Sequence, residues 1–87
     1  MSETVALVVE LCGKLADLHG REVMVPIPAE GCGVDSLLDR VRSAFPALAA
    51  LLEPGKVRVC RNDEIVPITA HVAAGDAVAL FPPVSGG

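Results

Sequence analysis

The sequence of 87 residues contains no Trp, no Tyr and two Phe, which excludes a core built on aromatic side chains. Hydrophobic residues nevertheless make up 52% of the chain and charged residues 21%. This composition is typical of a folded protein with an aliphatic core and excludes a disordered chain. Because a chain of this length forms one domain, we predict a single domain over residues 1–87.

The sequence also lacks the cysteine spacing of a metal site. Its three cysteines, Cys12, Cys32 and Cys60, include no CxxC pair, which argues against zinc. Their odd number and wide separation argue against a framework of disulfides. We therefore predict no metal site, and we expect each cysteine to be a small buried hydrophobic residue.

Neither a basic balance of charge nor a long apolar run is present. The net charge is −4, whereas nucleic-acid binding requires an excess of Lys and Arg to neutralise phosphates. No apolar run reaches the ~20 residues that cross a bilayer, and Glu3 stands where a signal peptide would carry positive charge. We expect a cytoplasmic protein that binds neither nucleic acid nor membrane. Its acidity either favours a basic protein partner or only maintains solubility.

Strand periodicity predicts a hairpin in the first third of the chain. Residues 4–12 are rich in β-branched side chains and almost continuously apolar, which favours a central strand. Residues 21–28 alternate apolar and other side chains and contain a proline, which favours an edge strand. Residues 13–20 are predicted to form the connecting loop, with Leu15 and Leu18 packing back on the core.

One main helix and three further strands are predicted in the rest of the chain. Apolar residues over 34–45 recur at helical spacing, and a proline then separates this helix from a short second one at 47–52. Strands follow at 56–60, 65–68 and 77–81. The order β-β-α-β-β-β matches an α+β fold of the β-grasp type, a mixed sheet of four to five strands packed on one main helix.

The last six residues, 82–87, read PPVSGG and follow the last predicted strand directly. Two prolines favour an extended polyproline conformation at ~3.1 Å per residue, so this segment could reach roughly 18 Å from the body. Gly86 and Gly87 have no side chains and could enter a channel too narrow for other residues. We predict a projecting, flexible Gly-Gly tail. Two glycines at this place are a weak signal on their own, and an inert flexible end is the alternative.

A carboxylate on Gly87 would be unreactive as it stands, because it is anionic at neutral pH with a pKa of about 3.5. Acylation by ATP would give a mixed anhydride with AMP as leaving group, and a sulfur donor could displace AMP to leave a thiocarboxylate. A partner's dry pocket would protect that group from hydrolysis. Since the sequence offers no base, metal or oxyanion hole of its own, we predict a carrier and not a catalyst.

Residues 76–87, DAVALFPPVSGG, resemble the C-terminal signature of molybdopterin synthase small subunits. In that family a strand leads to Phe-Pro-Pro-Val, a small hydroxyl residue and Gly-Gly. The resemblance implies a ubiquitin-like β-grasp fold without a bound cofactor and a role as sulfur carrier in molybdenum cofactor biosynthesis. It also implies a heterotetramer in which the small subunit is not itself catalytic.

The resemblance implies partners and roles for particular residues. An ATP-dependent adenylating enzyme would activate Gly87, and a sulfurtransferase would convert it to the thiocarboxylate. The large subunit of molybdopterin synthase would pass the sulfur to cyclic pyranopterin monophosphate. The residues expected to contact these partners are Ile65, Phe81, Pro82, Pro83, Val84, Ser85 and Gly86, of which Ile65 and Phe81 match an apolar docking patch on the sheet. Leu11-Cys12 stands where relatives often have aromatic residues, and Leu80 replaces a frequent Phe.

Three other functions stay open at this point. The chain could be a sulfur carrier for thiamine, cysteine or tRNA thiolation, since these carriers share the β-grasp body and the Gly-Gly end. It could be a protein modifier joined to lysines through Gly87, as ubiquitin is. A third possibility, from a different class, is a β-grasp interaction module with an inert tail.

Overall fold

The computed structural model describes residues 3–53 and 55–82. The predicted tail residues Pro83, Val84, Ser85, Gly86 and Gly87 lie outside the described residues. The strands and helices, in chain order, are β1 (Thr4–Leu11), α1 (Lys14–His19), β2 (Glu22–Pro28), β3 (Cys32–Gly33), α2 (Val34–Ala44), a 3₁₀ helix (Pro46–Leu51), β4 (Arg58–Arg61), β5 (Glu64–Val66), β6 (His71–Val72) and β7 (Val78–Phe81).

Five strands form one mixed sheet in the order β2-β1-β7-β4-β5. Strands β1 and β7 run parallel, and the other neighbours in this sheet are antiparallel. A second, two-stranded sheet pairs β3 with β6. These pairings confirm the predicted α+β arrangement, including the β1–β2 hairpin, the inner position of β1 and the edge position of β2.

Helix α2 covers one face of the sheet because its apolar residues fall on one side. Val34, Leu37, Leu38 and Val41 are all fully buried, as the predicted helical spacing requires. The helix ends at Ala44 because the residue before Pro46 avoids helical geometry. Its first turn carries Asp35, whose negative charge suits the positive end of the helix dipole.

The core between α2 and the sheet is aliphatic, as the composition predicted. The buried apolar side chains include Leu7, Val9 and Leu11 of β1 and Leu80 of β7, and no aromatic ring is among them. Each such side chain contributes about 1.5–3 kcal/mol when it is fully buried. No polar or charged residue of 3–53 and 55–82 is buried as a whole.

The connection between β1 and β2 differs from the predicted loop, because it contains helix α1. Gly13 and Gly20 flank this helix with positive φ angles of 57° and 97°. Leu15 is buried as predicted, whereas Leu18 is 53% exposed, against the prediction. Since α1 is shorter than two turns, only its first turn reaches the core.

Two of the three cysteines also differ from the prediction. Cys32 is buried, but Cys12 and Cys60 are only half-buried. Cys12 follows the last residue of β1, and Cys60 lies on the face of β4 opposite to the buried Val59. The strand alternation therefore places both thiols on the side of the sheet away from α2. No helix in the described part of the chain is long and apolar enough to cross a membrane.

Candidate docking site on the outer face of the sheet

The face of the five-stranded sheet opposite to α2, called here the outer face, carries the candidate site. Successive side chains of a strand point to opposite faces, so the outward residues are those that alternate with the buried ones. The outward residues of the five strands include Glu22, Met24, Val8, Glu10, Ala79, Phe81, Arg58, Cys60 and Ile65. Helices cover only the other face of the described sheet, so this one is open to a partner.

Ile65 and Phe81, the two predicted docking residues of the sheet, lie at the same end of the outer face. The side chain of Ile65 is 64% exposed and that of Phe81 is 38% exposed. Both line a pocket of about 490 Å³, called here the docking pocket. Its full lining is Cys12, Gly13, Arg58, Cys60, Ile65, Phe81 and Pro82. Aromatic side chains are frequent anchors of protein interfaces, and the docking role of Phe81 and Ile65 stays a prediction.

Pro82, the first residue of the predicted tail, lies at the rim of the docking pocket and is half-buried. It lies against Gly13, because a Cβ built on Gly13 would come within 3.1 Å of the Pro82 Cγ. Gly13 also has a φ of 57°, which side chains with a Cβ rarely adopt. The start of the tail therefore packs against the turn before α1. The sequence placed Gly13 in a loop and gave no signal for this contact.

The register of the sheet aligns five outward residues in one row across it. Glu22 pairs with Glu10, Glu10 with Ala79, Ala79 with Cys60, and Cys60 with Ile65. The row therefore runs from two carboxylates, over the small Ala79, to the thiol and the aliphatic side chain of the docking pocket. A shallow groove of about 680 Å³ follows much of this row and contains both glutamates.

The two half-buried thiols lie on either side of β7, next to Phe81. Cys12 continues the strand that pairs with Leu80, and its N–H donates to the Leu80 carbonyl oxygen at 3.1 Å. Burial raises the pKa of the Cys12 thiol, and the nearby Glu10 carboxylate and Cys60 thiol raise it further. Cys12 is therefore less reactive at neutral pH than an ordinary cysteine. No group of three or more potential metal ligands occurs among the residues that the structure describes.

A network of hydrogen bonds fixes the start of β7. The N–H of Asn62 donates to the Ala77 carbonyl oxygen at 2.7 Å, and the Asn62 Oδ1 accepts from the Ala77 N–H at 2.9 Å. Asp76 accepts from the Ala73 N–H at 2.8 Å and from the Asn62 side chain at 3.2 Å. These two donors lower the pKa of the Asp76 carboxyl. Asn62 and Asp63 both have positive φ, as the two-residue turn between β4 and β5 requires.

Comparison with known proteins gives a consistent result. The family model described as "ThiS family" matches residues 9–87. Small archaeal modifier protein 1 of Haloferax volcanii is 38% identical over 85 residues, which cover 90% of this chain and 97% of that protein. The molybdopterin synthase sulfur carrier subunit of Haemophilus influenzae is 46% identical over 39 residues, which cover 45% of this chain and 48% of that protein.

Solved structures agree with the fold. The crystal structure of SAMP1 from Haloferax volcanii superposes with a TM-score of 0.77 at 34% identity, and the alignment covers 95% of this chain and 100% of that one. This similarity confirms the predicted ubiquitin-like β-grasp fold. The match to the ThiS family model and the similarity to a molybdopterin synthase sulfur carrier subunit support the family resemblance drawn from residues 76–87.

Proposed function

Because this chain belongs to the ThiS family of small sulfur carriers and ubiquitin-like modifiers, we propose that it carries sulfur on Gly87 for molybdenum cofactor biosynthesis. The sulfur acceptor would be cyclic pyranopterin monophosphate in the large subunit of molybdopterin synthase. Small sulfur carriers of this family are non-catalytic and work with activating enzymes and a synthase large subunit. In this proposal the chain itself catalyses no step, and it presents the sulfur atom on Gly87 to the large subunit.

The proposed chemistry takes place in two steps on the Gly87 carboxyl group. A carboxylate oxygen attacks the α-phosphate of ATP in the adenylating enzyme, which forms an acyl adenylate and releases pyrophosphate. A sulfur nucleophile from a sulfurtransferase then attacks the acyl carbon, and the C–O bond to AMP breaks. When that nucleophile is a persulfide of the sulfurtransferase, the product is an acyl disulfide. A thiol then attacks the donor's cysteine sulfur, the S–S bond breaks, and the donor leaves as a disulfide. The thiocarboxylate that remains on Gly87 has sulfur in place of one oxygen. The thiocarboxylate sulfur is a better nucleophile than the carboxylate oxygen that it replaces. The sulfur is transferred in the partner's pocket, away from water.

The observation that carries the proposal is the position of the docking pocket at the base of the tail. Strand β7 ends at Phe81, and the chain leaves the sheet at Pro82, beside the exposed Ile65. A partner that covers this pocket is therefore positioned to receive the residues that follow Pro82. The tail motif that resembles molybdopterin synthase small subunits follows at once in the sequence, which favours that branch of the family.

Intact mass spectrometry tests the proposal. The chain is co-produced with the adenylating enzyme and the sulfurtransferase, and the mass of the purified protein should show one oxygen exchanged for sulfur. A variant lacking Gly87 should keep the unmodified mass and should still fold. Purified modified chain and large subunit should then convert cyclic pyranopterin monophosphate to molybdopterin. An unmodified mass throughout would contradict the proposal, and so would full activity of the truncated chain.

A second candidate function is that of a protein modifier, which the 38% identity with small archaeal modifier protein 1 favours. Both functions require adenylation of Gly87, but a modifier ends in an amide bond to a lysine Nζ of a target protein. Peptide mass spectrometry would then find target lysines that carry the last residues of this chain. A carrier for thiamine, cysteine or tRNA thiolation would instead form the thiocarboxylate and transfer no sulfur in the presence of the large subunit.

A further inference from the structure

A pair of facing carboxylates next to the docking pocket has no role in the chemistry described above. Glu10 of β1 lies directly opposite Glu22 of the neighbouring strand β2, and both side chains are exposed on the outer face. Like charges directly opposite each other on a sheet are destabilising. The pair is therefore unfavourable in the free chain, and a positive charge placed between the two carboxylates would relieve the repulsion.

That positive charge is not supplied within the described part of the chain. The ion pairs over 3–53 and 55–82 are Arg42–Asp39 and Lys56–Glu53, so neither Glu10 nor Glu22 takes part in one. Arg21 lines the groove beside the pair, but Asp17 lines the same groove, and the local excess of charge is negative. The same negative charge is among the causes of the raised pKa of the Cys12 thiol.

The pair is continuous with the docking pocket. From Glu10, the row across the sheet passes over Ala79 and reaches Cys60 and Ile65. Neighbouring strands lie about 4.8 Å apart. Glu10 and Ile65 are separated by three such spacings, or about 14 Å, so both can lie within one protein interface. Ala79 is the smallest outward side chain of the row, and it leaves a groove through which a long side chain could extend.

We propose that the Glu10–Glu22 pair receives an arginine or lysine side chain of the protein that docks on Ile65 and Phe81. This inference rests on the proposed function, because it assumes that a partner covers the docking pocket. The aliphatic stem of the cation lies on Ala79, and its charged end lies between the two carboxylates. An arginine can bind a carboxylate through two parallel hydrogen bonds. The apolar pocket supplies the anchor, and the carboxylates select a partner with a correctly placed cation.

Titration of the purified large subunit of molybdopterin synthase with variants of this chain tests the inference. At low salt, Glu10→Gln and Glu22→Gln should each weaken binding by about 3- to 10-fold, and the double variant by more. Glu30→Gln is the matched control, because it removes the same charge from an exposed residue between β2 and β3. At high salt the wild type and the Glu10 variant should converge, since screening removes the difference.

Two further measurements keep the inference falsifiable. Ala79→Leu should fill the groove and weaken binding without a change of charge. In the free chain at low salt, Glu10→Gln should raise the midpoint of thermal unfolding because it removes a repulsion. The inference is wrong if Glu10→Gln and Glu22→Gln bind like Glu30→Gln, if Glu10→Gln lowers the unfolding midpoint, or if the wild type does not bind the large subunit. The mass of Gly87 reports on the proposed function separately.

Discussion

Replacing Ile65 with alanine should weaken docking of a partner while leaving the fold intact. Complete burial of an aliphatic side chain contributes about 1.5–3 kcal/mol. Because 64% of Ile65 is still exposed in the free chain, docking can add about 1–2 kcal/mol from this residue. Since 1.4 kcal/mol corresponds to a tenfold change in affinity, Ile65→Ala should raise the Kd by about 5- to 30-fold.

Ile68→Ala provides the control for this measurement. Ile68 is also an exposed isoleucine, at 42%, but it lies in the turn after β5, where its carbonyl oxygen accepts the Asp35 N–H at the start of α2. It does not line the docking pocket. Calorimetric titration of the large subunit with the wild type, Ile65→Ala and Ile68→Ala gives the three Kd values. Thermal unfolding of each protein confirms that it is folded. Equal Kd values for Ile65→Ala and Ile68→Ala would refute the assignment of the docking pocket.

Three other predictions concern the surroundings of the docking pocket. Gly13→Ala should lower the free energy of unfolding by about 1–3 kcal/mol in urea titrations, because its backbone is strained for alanine and the new Cβ meets Pro82; an unchanged value would contradict this contact. Asp76→Ala should lower the unfolding free energy by about 1 kcal/mol at neutral pH. Because folding lowers the pKa of Asp76, its contribution is present above the ordinary pKa of about 3.9 and is lost as the pH falls through the folded value, so the two proteins should converge at acid pH. If the unfolding free energies of the wild type and of Asp76→Ala change equally as the pH falls, this role of Asp76 is refuted. Glu10→Gln should speed alkylation of Cys12 at pH 8, measured by peptide mass spectrometry, because it removes one cause of the raised pKa of that thiol; an unchanged rate would show that Glu10 does not act on it.

Local sequence patterns were sufficient for much of the fold. The alternation along 21–28 placed Val23, Val25 and Ile27 inside, and the helical spacing over 34–45 identified α2. Both patterns can be read locally, because each arises from a short segment that turns one side towards the core. The same alternation predicts that Phe81 is outward when Leu80 is inward, which the structure shows. The outward position of Phe81 could thus be predicted from the strand alternation, and the family resemblance of residues 76–87 pointed to the same residue.

The remaining features depend on pairing between distant strands. Nothing local to β1 or β2 shows that Glu10 faces Glu22, because a shift of register by two residues would keep the same faces and change the partners. Cys12 was expected to be buried, since cysteine is usually buried, and only the parallel pairing of β1 with β7 places it beside the docking pocket. Strands β3 and β6 have two residues each, too few for any periodicity.

Strand β7, the last strand of the described residues, is the middle strand of the five, with β1 on one side and β4 on the other. A pull on the residues beyond Phe81 is therefore resisted by backbone hydrogen bonds along both edges of that strand at once. A pull along the strand axis loads the bonds to β1 and to β4 together, whereas the same pull on an edge strand would load the bonds to one neighbour. Strand β7 can therefore bear a larger force along its axis before it leaves the sheet than an edge strand of the same length could.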